Sequence, residues 1–181
     1  MNTVERKTLY FRDSGPQNSE EVLEAIKNRI AGGNIETVVV ASTSGETGAK
    51  FAEELKGTAS VIVVSHERIG PTFKRQIAEY GGKAFDKTHV ALDAEGMDDI
   101  RKSFYTLGQG FKVAVEVVLI ASDIGAIELY KDVVGVGGTS NGADTALVLR
   151  ATPSREIFTE DKMKKLEIRE IIAIPLEKHW W

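Results

Sequence analysis

The residues best suited to chemistry form one run of small polar side chains: Ser42, Thr43, Ser44, Gly45, Glu46, Thr47 and Gly48. A β-branched apolar stretch at 37–41 precedes the run, and Phe51 and Leu55, four apart, follow it. That order predicts a strand, a turn and then a helix over 47–55. The first N–H groups of a helix lack internal partners and sit at the positive end of its dipole. Gly45 and Gly48 let a ligand approach the backbone, and the hydroxyls of Ser42, Thr43, Ser44 and Thr47 add further donors. Together they suit a phosphate group. The same spacing is equally that of an ordinary βα turn with a Ser or Thr cap. It is not a Walker A loop, because no lysine follows the glycines.

A second run, Gly137, Gly138, Thr139, Ser140, Asn141, Gly142, Ala143 and Asp144, follows the apolar stretch at 132–136. Thr139, Asn141 and Asp144 offer donors and acceptors there, and the glycines offer close approach. Ser140 stands where the last glycine of a G-x-G-x-x-G fingerprint belongs, so this is not a dinucleotide loop. Asn141-Gly142 is also a hairpin signal, and a hairpin turn can itself line a site. His66 follows the apolar stretch at 61–64. It is a weak candidate for an acid, a base or a phosphate contact, and an exposed surface residue is the alternative. Glu116 and Asp144 are further acid/base candidates. Lys112 and Glu116, four apart, read as a simple i, i+4 ion pair. His89 and His179 show no metal-ligand spacing, and no metal site is expected.

Composition narrows the classes. The chain has 181 residues, no cysteine, and a net charge of −4. Disulfide scaffolds, cysteine nucleophiles and thiolate metal centres are excluded. A mildly acidic chain is a poor general binder of nucleic acid. Residues 1–12 contain no apolar h-region, and the longest apolar stretch, 113–121, is interrupted by Glu116. The expectation is a soluble cytoplasmic protein that neither spans a membrane nor binds nucleic acid. A homo-oligomer is left open, and so are the roles of Trp180 and Trp181, as packing groups or tail.

The elements that must position these runs follow from periodicity. One domain, 1–181, is expected. A short strand is read at 8–11 and a turn at 13–17. A helix follows at 18–31, with Asn18 or Ser19 as N-cap. Strands are read at 37–41 and 61–64, a helix beginning with proline at 71–80, and a strand at 88–92. Residues 98–120 are ambiguous: 113–120 is β-branched, yet too continuously apolar for strict alternation. A buried helix is the reading adopted. Strands follow at 132–136, 145–150 and 168–174, with a charged helical stretch at 160–166. Strands alternating with helices imply a mainly parallel α/β sheet. The last strands have little helix between them, so an antiparallel edge strand is expected. Ligands of such sheets bind at the carboxyl ends of the strands, near a topological switch point.

Four segments in this order resemble a known family: residues 14–18, 37–48, 110–116 and 136–146. They look like the stand-alone, largely archaeal proteins related to the C-terminal α/β domain of pyruvate kinase. The resemblance covers about residues 10–175. It implies a three-layer α/β/α fold and supports the helix at 111–121. In pyruvate kinase the matching domain is regulatory, and its T-x-S-G-x-S loop holds a phosphate of a sugar bisphosphate. Ser42, Ser44, Gly45 and Thr47 match that loop approximately, and residues 137–144 match the later glycine-rich loop in placement. Glu46 departs from the pattern and argues against a bisphosphate. The catalytic barrel is absent from these residues, so pyruvate kinase activity is not implied. Proteins resembling this one are associated with bound FMN, which makes FMN the favoured cofactor. The expected function is binding of a phosphorylated small molecule, with the physiological role undefined. A flavin-dependent or phosphate-ester-processing enzyme, or a regulatory subunit sensing a phosphometabolite, are the alternatives.

Overall fold

The computed structural model describes residues 3–180, so Trp181 lies outside the described residues. The chain runs through β1 (Leu9–Phe11), α1 (Ser19–Ala31), β2 (Thr37–Ala41), α2 (Glu46–Glu54), β3 (Ser60–Val64), α3 (Pro71–Glu79) and β4 (Lys83–Phe85). It continues through α4 (Asp98–Tyr105), α5 (Gln109–Asp123), β5 (Asp132–Gly137), β6 (Thr145–Arg150) and β7 (Ile168–Pro175). The strands form one seven-stranded sheet in the order β1-β7-β6-β5-β2-β3-β4. All neighbouring pairs are parallel except those of β6, which is antiparallel to both β5 and β7. An antiparallel strand is present toward one side of the sheet, but β6 is not the edge strand expected: β7 and β1 continue the sheet beyond it, and the edge strands β1 and β4 pair in parallel.

Helices cover both faces, which makes three layers. Val38 and Val40 of β2 point into a core built with α1, α2 and α3, including Leu23, Ile26, Phe51 and Ile77. Val39 points the other way, into a core built with α4 and α5. A strand buried on both faces is apolar at every position, which is why 37–41 lacks alternation. Phe51 is fully buried, and truncating such a side chain to alanine costs about 3–5 kcal/mol.

The ambiguous stretch resolves into two helices, α4 and α5, separated by Thr106, Leu107 and Gly108. α5 is apolar nearly all round because it lies in the core. Its backbone touches β5 directly: a Cβ on Gly135 would lie 2.3 Å from the Ala114 carbonyl, and one on Gly137 2.3 Å from the Gly110 carbonyl. Those glycines of β5 set how closely α5 can lie on the sheet.

Three expectations are corrected. Residues 88–92 form no strand; Ala91–Asp93 is a 3-10 turn. Thr88 binds the Ser65 carbonyl through both its amide and its hydroxyl, and the Leu92 amide donates to Glu116 Oε1. That segment crosses toward α5 instead of joining the sheet. The strand there is β4, which pairs with β3 alone. Residues 160–166 do not form a helix. Their carbonyls are taken from outside: Arg150 donates to Lys162 O and Lys165 O, and Thr152 Oγ1 to Lys164 O, at 2.8–2.9 Å. Finally, Asn18 stands at the N-cap position of α1, as expected, but its side chain makes no capping bond. A 3-10 turn, Pro16–Asn18, leads into the helix. Asn18 Nδ2 donates to Asp13 O, and Ser19 Oγ accepts from the Ala143 amide.

No helix among the described residues is long and apolar enough to cross a membrane.

Candidate functional site

The sheet order fixes where a crevice opens. The chain leaves β2 through α2 and pairs it with β3 on one side. It reaches β5, on the other side of β2, through α5 on the opposite face. The carboxyl end of β2 leads into α2 on one face and that of β5 into the hairpin to β6, while α5 lies on the other face, so a crevice opens at the carboxyl ends of these neighbouring strands. A cleft of about 790 Å³ lies there, within the 300–1,000 Å³ of typical ligand sites.

Most of the residues singled out from the sequence meet in it. Ser42, Thr43, Ser44, Glu46 and Thr47 line one side; Gly138, Thr139, Ser140, Asn141 and Gly142 another; His66 stands at the end of β3. Four others do not line it. Gly45 is buried with φ +99°, and a Cβ there would lie 2.5 Å from Ile69 Cγ2. Gly48 faces Val63, and a Cβ on it would lie 2.5 Å from Val63 Cγ1. Gly137 packs under α5. Asp144 is 0% exposed.

The 42–48 turn is held by its own hydroxyls. Buried Ser42 accepts from the Gly48 amide at 3.1 Å, and Ser44 Oγ accepts from the Glu46 amide at 3.2 Å. Two of the first amides of α2 are thereby satisfied within the protein. Among the described residues the Thr47 amide has no partner, and Thr43, Ser44 and Glu46 are exposed. The turn thus shows the hydroxyl-to-amide bonds of a capped βα turn. The caps use Ser42 and Ser44, leaving the Thr47 amide and the Thr43 and Thr47 hydroxyls facing the cleft.

The 138–144 loop joins the β5–β6 hairpin, as Asn141-Gly142 suggested. Asp144 fixes it from behind. Its Oδ2 accepts from the Thr139 and Gly15 amides, both at 3.0 Å, and its Oδ1 from Thr145 Oγ1 at 2.8 Å. Gly142 leans on Pro16 and Ser19. That contact explains why residues 14–18 belong with this loop. Asp144 positions the loop and does not reach the cleft.

His66 is exposed, with Nε2 3.6 Å from Glu67 Oε1. Its neighbour Ser65, which the sequence did not single out, is buried. Ser65 Oγ donates to Thr43 O at 3.3 Å and accepts from the Glu67 amide at 3.1 Å, joining the loops after β2 and β3. Farther along the same loop, the Ile69 amide donates at 3.0 Å to Asp86, which follows β4 and meets Lys74 Nζ at 2.8 Å. The ammonium of Lys74 holds the Asp86 carboxyl below its ordinary pKa.

Of the far wall the sequence singles out Lys112 and Glu116, but not as part of a cleft. Gln109, Lys112, Val113, Glu116, Val117 and Ile120 of α5 line the cleft. Lys112 Nζ donates to Glu116 Oε2 at 2.5 Å, and both residues are buried. The i, i+4 ion pair read from spacing is present and enclosed. Gln109 Oε1 is enclosed without a hydrogen-bond partner, while the Gln109 amide donates to the His179 carbonyl at 2.7 Å. Trp180 is 56% exposed. No group of three or more His, Asp or Glu side chains converges among the described residues.

No protein-family model matches the sequence.

Proposed function

We propose that this protein binds a phosphorylated small molecule in the cleft between β2 and β5, with FMN the favoured ligand. The observation that carries the reading is the exposed first turn of α2, with its free Thr47 amide, opening onto a cleft of about 790 Å³. The phosphate rests on the Thr47 amide and the Thr43 and Thr47 hydroxyls, where the helix dipole favours an anion. Glu46, Glu67 and Asp93 also border the cleft. Their carboxylates disfavour a second phosphate, so a monoester fits better than a bisphosphate. The resemblance to the pyruvate kinase C-terminal domain supports the same location, and we propose that fold kinship too.

A binding role is favoured over nucleophilic catalysis. Among the described residues the one hydrogen bond made by a histidine side chain joins His89 to Asp123, so no cleft hydroxyl is paired with a base.

The test is an absorbance spectrum of the purified protein, mass spectrometry of what heat releases, and titration with FMN. The expected result is bound flavin, or uptake with a Kd of micromolar order. Thr47→Val keeps shape and amide but removes the hydroxyl. A bond to an ionised group contributes about 1.5–3 kcal/mol, so affinity falls roughly 10- to 100-fold. A protein that takes up neither FMN nor inorganic phosphate sinks the reading.

A further inference from the structure

The sheet ends in two short strands, β1 and β4, whose outer edges differ. At β4 the edge is occupied. The Phe85 carbonyl accepts from the Ser65 amide on the inner side, so the outward row is Gly82, Ala84 and Asp86. The Gly82 amide donates to the Ile77 carbonyl, and Asp86 is held by the Ile69 amide and Lys74.

At β1 the edge is open. Leu9, Tyr10 and Phe11 stand opposite Ala173, Ile174 and Pro175 of β7. Pro175 has no N–H to give, and the Leu176 amide donates to the Phe11 carbonyl at 2.7 Å. Leu9 and Phe11 therefore turn their backbone groups toward β7, and Tyr10 turns its N–H and C=O outward. Among the described residues those two groups have no partner, nor do the backbone groups of Thr8 and Arg12 on the same side. The Tyr10 residue is 56% exposed. Thr8 Oγ1 donates to the Ile171 carbonyl and Arg6 Nε lies 3.8 Å from Glu170 Oε2, so the chain before β1 continues alongside β7.

An open edge is a template for another strand, and the residues beside this one favour a particular strand. Lys7, Leu9, Phe11 and Asp13 share one face by alternation, the face on which Leu9 and Phe11 pack toward α1. Two copies set antiparallel about a two-fold axis at Tyr10 are complementary at each position. Tyr10 exchanges both backbone bonds with Tyr10 of the second copy, Leu9 lies opposite Phe11, and Lys7 lies opposite Asp13. Lys7 and Asp13 are exposed, and among the described residues neither takes part in an ion pair. An axis at Leu9 instead sets Arg6 against Arg12 and Glu5 against Asp13, like against like. An axis at Thr8 or at Phe11 sets a charge opposite Leu9. Charges beside an edge ordinarily guard it against pairing. Here they oppose the other registers and favour one, which selects a single pairing.

We infer that the outer edge of β1 is an interface with a second copy of this chain, which pairs antiparallel about Tyr10 and joins two seven-stranded sheets into one. The contact is isologous, each copy giving and receiving the same bonds. A strand of three residues makes a small interface, so the dimer is a weak one. The inference does not depend on the proposed ligand.

The test is sedimentation equilibrium at low salt, over about 10–500 µM protein to suit a small interface. The expected result is a reversible dimer. Tyr10→Pro removes the outward N–H, leaves the β1–β7 bonds in place and should give a monomer. Lys7→Asp and Asp13→Lys each place two like-charge pairs in the interface, and each should raise the dimer Kd roughly tenfold or more. The double variant Lys7→Asp/Asp13→Lys should return it to near the original value. A monomer across the whole range overturns the inference and leaves the edge to a strand of another protein. A dimer whose Kd is unmoved by Tyr10→Pro, or by both single charge variants, lies on another face and also overturns it. If Tyr10→Pro does not fold, the charge exchange at the two exposed positions decides, and no recovery in the double variant overturns the inference.

Discussion

Replacing Asp144 tests how the loop beside the cleft is held. Its carboxylate is fully enclosed and accepts three hydrogen bonds, from the Gly15 and Thr139 amides and from Thr145 Oγ1. Asp144→Ala leaves two buried amides and a hydroxyl without an acceptor. Each unsatisfied buried group costs about 1–3 kcal/mol, and partial relaxation brings the sum to roughly 3–5 kcal/mol. Asp144→Asn behaves differently. Both amides converge on Oδ2, so the one oxygen of the asparagine can keep both. The new NH₂ then faces Thr145 Oγ1, which turns from donor to acceptor. Only charge assistance is lost, about 1–2 kcal/mol. The assay is urea unfolding. With a slope of roughly 2–3 kcal/mol per M, Asp144→Ala lowers the midpoint by about 1–2 M, and Asp144→Asn by less than half as much. Equal midpoints for the two variants would refute the hydrogen-bond accounting.

Three further outcomes follow from other parts of the structure. Gly48→Ala places a Cβ 2.5 Å from Val63 Cγ1, and Val63 is fully buried. Overpacking of this kind costs about 1–3 kcal/mol, and thermal melting should show the loss shrinking when Val63→Ala is added. Ser42→Ala strips the buried Gly48 amide of its acceptor and should cost about 1–2 kcal/mol, read by urea unfolding. Arg29 donates to both oxygens of Glu170, at 2.6 and 2.9 Å. Its guanidinium holds the Glu170 carboxyl below its ordinary value of 4.5. A depressed folded pKa contributes stability above the unfolded pKa and loses it as pH falls through the folded one. The stability gap between the wild type and Glu170→Gln should therefore be constant above about pH 5 and close below it. Unfolding curves across pH 3–7 check this, and a gap that widens on acidification would contradict it.

Where residue pattern and burial agree, the sequence was legible. Residues 37–41 and 61–64 are strands because both faces are covered, so every position must be apolar. Residues 113–120 have the residue types of a strand but form α5, since burial on every side removes the period that would have announced a helix. Two errors share one cause. At 88–92 the β-branched residues suggested a strand, and at 160–166 the charged ones a helix. In each case long-range partners decided: Ser65 and Glu116 for the first, Arg150 and Thr152 for the second. β4 is too short, at three residues, to carry a period at all.

The candidate site divides along the same line. Its two loops were legible as glycine and hydroxyl runs directly after apolar strands, a pattern that also suits a capped βα turn and a hairpin, and sheet order brings their ends together. Its wall was not. Lys and Glu four apart most often lie on a solvated face, and only the fold turns this pair inward. A signal was nonetheless present. Val113, Ala114 and Val115 separate Lys112 from Glu116, and Val117 to Ala121 follow without another charge. A helix so apolar must be buried, and a charge pair on a buried helix must either be enclosed or face a cavity. Opposite charges one turn apart on an otherwise apolar helix therefore point to an enclosed position, not a solvated face.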